Sequence, residues 1–170
     1  MIPMFEPSSQ QEAYDMVYHG FELSEKLGYP ILLRVTTRMA HSRAGVVTSP
    51  LKPENRMNCP EDGRQRFILL PALARKRFKS LLASQEAFTE ASENSAYNKY
   101  FDAPNKDLGI ITTGIAFNYL SENYPDGFEH PVLKISQYPL PRKQVEKIVG
   151  ECKDCLLYTS PSPRDRTRSR

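Results

Sequence analysis

Apolar and polar positions along the first quarter of the chain follow two periods in turn. Met1–Glu6 reads as a short extended entry, and Pro7-Ser8-Ser9 sets a helix start. Ser8 with Gln11, or Ser9 with Glu12, fits a capping box, in which a hydroxyl takes an orphan N–H and the later side chain reaches back. Ala13, Met16, Val17, Gly20, Phe21, Ser24 and Leu27 then fall on one helical face, and Gly28 is the natural stop. Pro30–Val35 is a short apolar strand. The stretch Gly45–Arg66 shows no sustained period and holds Pro50, Pro53 and Pro60, so it reads as a linker. Cys59 inside it has no histidine or cysteine at ligand spacing and reads as an incidental thiol.

Phe67–Leu70 is an apolar entry to a helix that begins at Pro71 and reaches about Glu93, with Ala74, Phe78, Leu81, Leu82, Gln85 and Phe88 as its buried stripe. Arg75, Lys76, Arg77 and Lys79 cluster in its first turns. They read as a solvated face, with a phosphate or a partner as the alternative. Asn94–Lys106 is a polar connection with aromatics at Tyr97, Tyr100 and Phe101. The strongest local pattern is Asp107–Leu120: a β-branched strand over Leu108–Thr112, a tight turn at Gly114, and a helix from about Ile115. A strand follows at Pro131–Ile135, and a further helix carries Val145, Ile148 and Val149. The order β-α-β-α with short connections predicts an α/β fold with a parallel sheet and right-handed crossovers, and a further strand is expected next.

Composition changes this picture in one place. The chain has 170 residues and a net charge of +3. The last sixteen residues, Cys155–Arg170, hold four arginines and one aspartate. Without them 19 basic residues balance 19 acidic ones, so nothing global points to nucleic acid. The peptide CLLYTSPSPRD, Cys155–Asp165, reads codon for codon as a translated transposase sequencing adapter, so Cys155–Arg170 is expected to be foreign to the protein. The alternative is a disordered Ser/Pro/Arg tail. On the adapter reading the CxxC of Cys152 and Cys155 contains one native cysteine, the adapter stands in place of the expected strand, and the natural protein is expected to continue past Asp154. Three cysteines without framework spacing, no apolar run of about 20 residues and no secretory signal predict a cytoplasmic protein with no membrane span.

The most chemically capable stretch is Thr36–Arg43, TTRMAHSR, directly after a strand, where doubly wound sheets bind ligands. Its two arginines, two threonines, serine and histidine suit an anionic group; equally, they suit a loop that satisfies its own backbone. Thr112, Thr113 and Gly114, at the end of a strand before a helix, form a weaker candidate anion site.

Five segments together resemble the alpha subunit of indolepyruvate ferredoxin oxidoreductase, within the 2-oxoacid:ferredoxin oxidoreductase superfamily. They are EPSSQQEAYDM (Glu6–Met16), FELSEKLGYPILLRVTTRMAHSR (Phe21–Arg43), RFILLPALARKRF (Arg66–Phe78), DLGIITTGIAFNYL (Asp107–Leu120) and LKISQYPLPRKQV (Leu133–Val145). The resemblance implies that residues 1–47 are the end of a domain that holds the pyrimidine of thiamine diphosphate. Residues 48–65 would be a linker, and 66–154 a truncated transketolase C-terminal-like domain. It implies an enzyme that oxidatively decarboxylates aryl 2-oxoacids to aryl-acetyl-CoA and reduces ferredoxin, using thiamine diphosphate, Mg²⁺, [4Fe-4S] clusters and coenzyme A. A beta subunit, ferredoxin and further domains of the same chain are the implied partners. The thiamine-activating glutamate is expected upstream of Met1, and the diphosphate and cluster domains downstream, so this stretch alone is expected to be inactive. A 2-oxoacid carboxylate suits a guanidinium. Arg38 is therefore the first candidate for substrate or interdomain contact, with His41 beside it, and Thr37 and Ser42 (and Thr36) in support; Thr113 and Gly114 remain the weaker anion candidates. The other readings are a non-catalytic α/β module that docks on partner subunits, and a pyruvate-type enzyme of the same superfamily.

Overall fold

A computed structural model of the chain describes residues 1–54, 56, 61, 63 and 67–159. Cys59, Arg66 and Ser160–Arg170, with the readings made of them, lie outside the described residues. Strand β1 (Met4–Phe5) leads into helix α1 (Gln10–Leu27). The cap is shared between the two serines. Ser9 Oγ accepts the Glu12 N–H at 3.2 Å, while the Glu12 carboxylate accepts from the N–H and hydroxyl of Ser8 rather than from Ser9. Gly28, at φ 69°, ends the helix and donates its N–H to Ser24. Strand β2 (Leu32–Leu33) returns parallel to β1.

The remaining elements are helix α2 (Thr37–His41), α3 (Pro71–Ala83), α4 (Gln85–Glu93), strands β3 (Lys99–Phe101) and β4 (Leu108–Thr113), α5 (Ala116–Asn123), β5 (Val132–Ile135), β6 (Gln137–Tyr138), α6 (Arg142–Glu151) and β7 (Asp154–Tyr158). They form two sheets, ordered β2-β1-β6 and β3-β5-β4-β7. In the second, β5, β4 and β7 are parallel, as the β-α-β-α order requires, and β3 is an antiparallel edge. The fold is thus mixed α/β. Ile111, Leu133, Ile135, Ile148 and Cys152 form one core; Phe5, Met16 and Leu23 form a second under α1. Helix α6 reaches β4 because residue 109 is glycine: a Cβ there would stand 2.9 Å from Ile148 Cγ1.

Several expectations are corrected. The long helix from Pro71 is two helices, and the Ser84 hydroxyl marks the break. It bonds back to the Ser80 carbonyl and also to Tyr29, a local bond that competes with the helical ladder. Of the stripe expected on that helix only Phe88 is buried; α3 buries nothing fully, and Phe78 and Leu82 are open. On α1 the buried residues are Met16 and Leu23, whereas Val17 and Phe21 line an open apolar hollow of about 390 Å³ with Phe5, Gly20, Ile31 and Leu33. A sheet of three two-residue strands is too narrow to cover the whole face. The connection Asn94–Lys106 contains β3, whose Phe101 stacks on Phe117 at 5.6 Å. Three residues are too few for a period to be legible. Finally, the strand expected after α6 is present as β7, built largely from residues 155–158. Its main chain completes the ladder on β4 while all five side chains lie exposed. Main-chain pairing asks little of side chains, so these residues occupy the slot without packing into it.

The chain passes from the second sheet to the first between Ile135 and Gln137, and Asn98 holds that junction. Its Oδ1 accepts the N–H groups of Ser136 and Gln137, both at 2.8 Å, and its Nδ2 donates to Ser92 and Gln137. Among the described residues no helix is long and apolar enough to cross a membrane.

Candidate functional site

The residues TTRMAHSR were expected as a loop; they form α2. Thr36 caps it by accepting the Met39 N–H, Met39 is buried, and the Ser42 hydroxyl donates to the Met39 carbonyl. A five-residue helix turns alternate side chains in different directions, so the four candidates separate. Arg38 points toward α5: its Nη1 donates to the Tyr119 hydroxyl and its guanidinium lies 4.9 Å from the centre of the Tyr119 ring. Ser42 faces α1 and meets Gln10. Thr37 and His41 are exposed. Arg38 and Ser42 share a hollow of about 150 Å³ with Ser8, Asn118, Tyr119 and one carboxylate, Glu122. Asn118 Nδ2 donates to the Ser8 carbonyl at 2.6 Å. The stretches TTRMAHSR and DLGIITTGIAFNYL therefore meet at one seam.

Thr113 and Gly114 lie on the other side of α5's start. Thr113 is buried. Gly114 has φ 49°, and a Cβ on it would stand 2.7–2.8 Å from the Glu6 side chain. The negative group at this helix start is thus the chain's own carboxylate. Glu6 is 1% exposed; its Oε2 accepts from the Tyr138 hydroxyl at 3.1 Å, and its Oε1 lies 3.7 Å from Arg34 Nε. That Oε1 accepts no hydrogen bond among the described residues. Burial, followed by the Glu6 charge, pushes the Tyr138 phenol up to about 12, so it remains a donor to Glu6.

Beneath the seam, Lys134 of β5 is 3% exposed and pairs with Glu12 of α1 while lying 4.8 Å above the Phe117 ring. Burial alone raises the Glu12 carboxyl, but the Lys134 charge and the two Ser8 hydrogen bonds outweigh it and hold the carboxyl below its ordinary value. Glu6, Tyr119, Lys134 and Asn98 were not legible as site or seam residues. Lys134 alone carried a signal, a lysine inside an otherwise apolar strand, which calls for a buried counter-charge.

A group held ionised below its unfolded pKa stabilises the fold above that unfolded value, and the gain is lost as pH falls through the folded one. Glu12→Gln is therefore expected to cost about 2 kcal/mol near pH 7, as for a hydrogen-bonded charge. The gap from the unsubstituted chain should stay level from about pH 5 to 8 and shrink below about pH 4.5. Urea unfolding across that range checks this, and a gap that widens in acid contradicts it.

Among the described residues no group of three or more His, Cys, Asp or Glu side chains is placed to hold a metal ion. No protein-family model matches the chain. Curated proteins do. The chain is 35% identical over 170 aligned positions to the indolepyruvate oxidoreductase subunit IorA of Methanothermobacter thermautotrophicus, covering 95% of this chain and 27% of that protein. The subunit of the same name from Pyrococcus abyssi is 37% identical, and that from Archaeoglobus fulgidus 36%, each across 95% of this chain and 26% of the relative. The chain thus spans about a quarter of the length of the curated relatives it matches, and the resemblance to this subunit holds along nearly all of it.

Proposed function

We propose that this chain, which corresponds to a quarter-length segment of an indolepyruvate oxidoreductase alpha subunit, supplies the seam that presents Arg38 to the carboxylate of an aryl 2-oxoacid. In the whole protein the reaction is oxidative decarboxylation to an aryl-acetyl-CoA with reduction of ferredoxin, in complex with a beta subunit. Thiamine diphosphate, when bound, supplies the carbanion chemistry of such a reaction. The described residues contain no donor set for Mg²⁺ or a [4Fe-4S] cluster. Our reading leaves these groups, with coenzyme A, to parts of the whole protein outside this chain. The end of a pyrimidine-type domain (residues 1–47) and a transketolase C-terminal-like domain (66–154) remain our reading of the two halves that the seam joins.

The observation that carries the reading is the Arg38–Tyr119 contact. Tyr119 takes one donor and one face of the guanidinium. Among the described residues no carboxylate pairs with Arg38, which leaves donors for a planar anion. Tyr119 fixes the orientation, so less rotamer freedom is lost when a carboxylate binds.

In the native complex, Arg38→Lys is expected to raise KM for indolepyruvate about 10-fold or more with a smaller change in kcat, because a point charge replaces a bidentate fork. Tyr119→Phe should give a milder rise of the same kind. Unchanged KM together with an equal drop in thermal stability for Arg38→Ala and Tyr119→Ala would show that the pair only joins the two halves.

A further inference from the structure

The hollow at Arg38 stands on a buried polar network that the proposed chemistry does not use. Lys134, inside β5, is 3% exposed and pairs with Glu12, whose side chain is 16% exposed. The other Glu12 oxygen, Oε2, accepts from the Ser8 N–H at 2.9 Å and from the Ser8 hydroxyl at 2.8 Å. Ser8 is itself buried, and its carbonyl accepts from Asn118 of α5. Lys134 Nζ also lies 4.8 Å from the centre of the Phe117 ring. Phe117, Asn118 and Tyr119 are consecutive residues of α5: the first two tie the helix to β5 and to the start of α1, and the third meets Arg38. On the opposite wall, Gln10 of α1 donates to the Ser42 hydroxyl at the end of α2. Both helices of the seam are thus referred to one turn, residues 8–12, and Glu12 holds that turn. Ser9 already caps α1 through the Glu12 N–H, so starting the helix does not require a buried carboxylate.

We infer that Glu12 and Lys134 are positioning residues for Arg38: through Ser8, Asn118 and Phe117 they fix the rotation of α5, and with it the Tyr119 hydroxyl that orients the guanidinium. The inference rests on the reading of Arg38 as the carboxylate anchor and extends it to residues that touch no substrate. Neither Glu12 nor Lys134 lines the hollow, so they act through α5 and not on a bound molecule. Helix α5 begins at Ile115 without a side-chain cap, so no local cap fixes how it is turned about its axis. An apolar contact beneath it would tolerate small rotations, because the hydrophobic effect has no direction. A charge-assisted pair and two Ser8 hydrogen bonds have set lengths and directions. A buried ion pair commonly adds no stability over an apolar pair of the same volume, and its best-attested use is to select one arrangement. The arrangement selected here is the one that presents Arg38, where a small displacement of the fork weakens its grip on a planar anion.

The test uses the native alpha subunit in complex with its beta subunit. Glu12→Gln combined with Lys134→Met removes both charges at similar volume, so the unfolding midpoint is expected to stay within about 3 °C of wild type. KM for indolepyruvate should rise about 5-fold, with kcat within about 2-fold. In an Arg38→Lys background the same two changes should add less than about 1.5-fold, because the fork they orient is gone. An equal rise in both backgrounds overturns the inference, as does an unchanged KM in the double variant where Arg38→Lys raises it. A fluorotyrosine in place of Tyr119 gives a readout that needs no substrate. Its fluorine resonance is expected to shift or broaden in the double variant, and also in Asn118→Ala, which leaves the buried pair intact and keeps the test open if the double variant does not fold. An unchanged resonance in either folded variant overturns the inference. If Arg38→Lys leaves KM unchanged, the reading of Arg38 as the substrate anchor fails. The resonance alone then decides whether Glu12 and Lys134 position Tyr119.

Discussion

Replacing Asn98 with leucine is expected to destabilise the chain by about 4 kcal/mol, because it strands two buried main-chain donors at once. Asn98 Oδ1 takes the N–H groups of Ser136 and Gln137 where the strand leaves one sheet for the other and no neighbouring strand can take them. The same side chain returns hydrogen bonds to the Ser92 carbonyl, the Ser92 hydroxyl and the Gln137 carbonyl. Leucine has a similar size, so the loss measures unmet polar groups rather than a cavity. Asn98→Asp keeps both acceptor bonds but loses the donors and buries a charge; it should also destabilise, and more strongly as pH rises above the carboxyl's titration range. Denaturant unfolding at several pH values separates the two. A loss under about 1 kcal/mol for Asn98→Leu would mean that water reaches Ser136 and Gln137.

Gly114→Val should be of similar size, about 3–5 kcal/mol, from two additive causes. A β-branched residue resists a φ of 49°, and its Cβ would enter the space of a Glu6 side chain that is almost wholly buried and held by Tyr138. Gly114→Ala carries both causes in milder form. Combining it with Glu6→Ala removes the steric part and leaves the backbone part. The glycine's share of the clash is then the non-additivity of the double-mutant cycle. Additive losses would sink the claim that Glu6 and Gly114 fit each other.

The stretch Asp107–Leu120 was legible because its local signals agree. β-branched residues run to a glycine that can take positive φ, and a helix-period segment follows. The same holds for α1, where Ser9, Glu12 and Gly28 mark both ends to within a residue. Local agreement failed on burial. The faces of α1 and α3 are apolar by sequence, yet Phe21 and Phe78 are open, since a helical pattern states that a face is to be covered and not what covers it. The break at Ser84 came from a hydroxyl bonding back to its own turn, which composition does not separate from an ordinary exposed serine.

At the candidate site the residue types were readable and their geometry was not. An arginine among hydroxyls after a strand marks a place for an anion, but its direction depends on α2 forming and on Tyr119, 81 residues away, standing opposite. Glu6 and Lys134 show the same limit. Each is a charge placed by long-range packing, against Gly114 and Tyr138 in one case and Glu12 and Phe117 in the other. Period, capping and turn chemistry act over a few residues, so the order of elements and the parallel pairing of β4 with β5 could be read along the chain. Which charges are buried, and which apolar faces stay open, depends on contacts between residues more than a hundred positions apart. Desolvation and pairing energies at those contacts are set by the assembled fold alone.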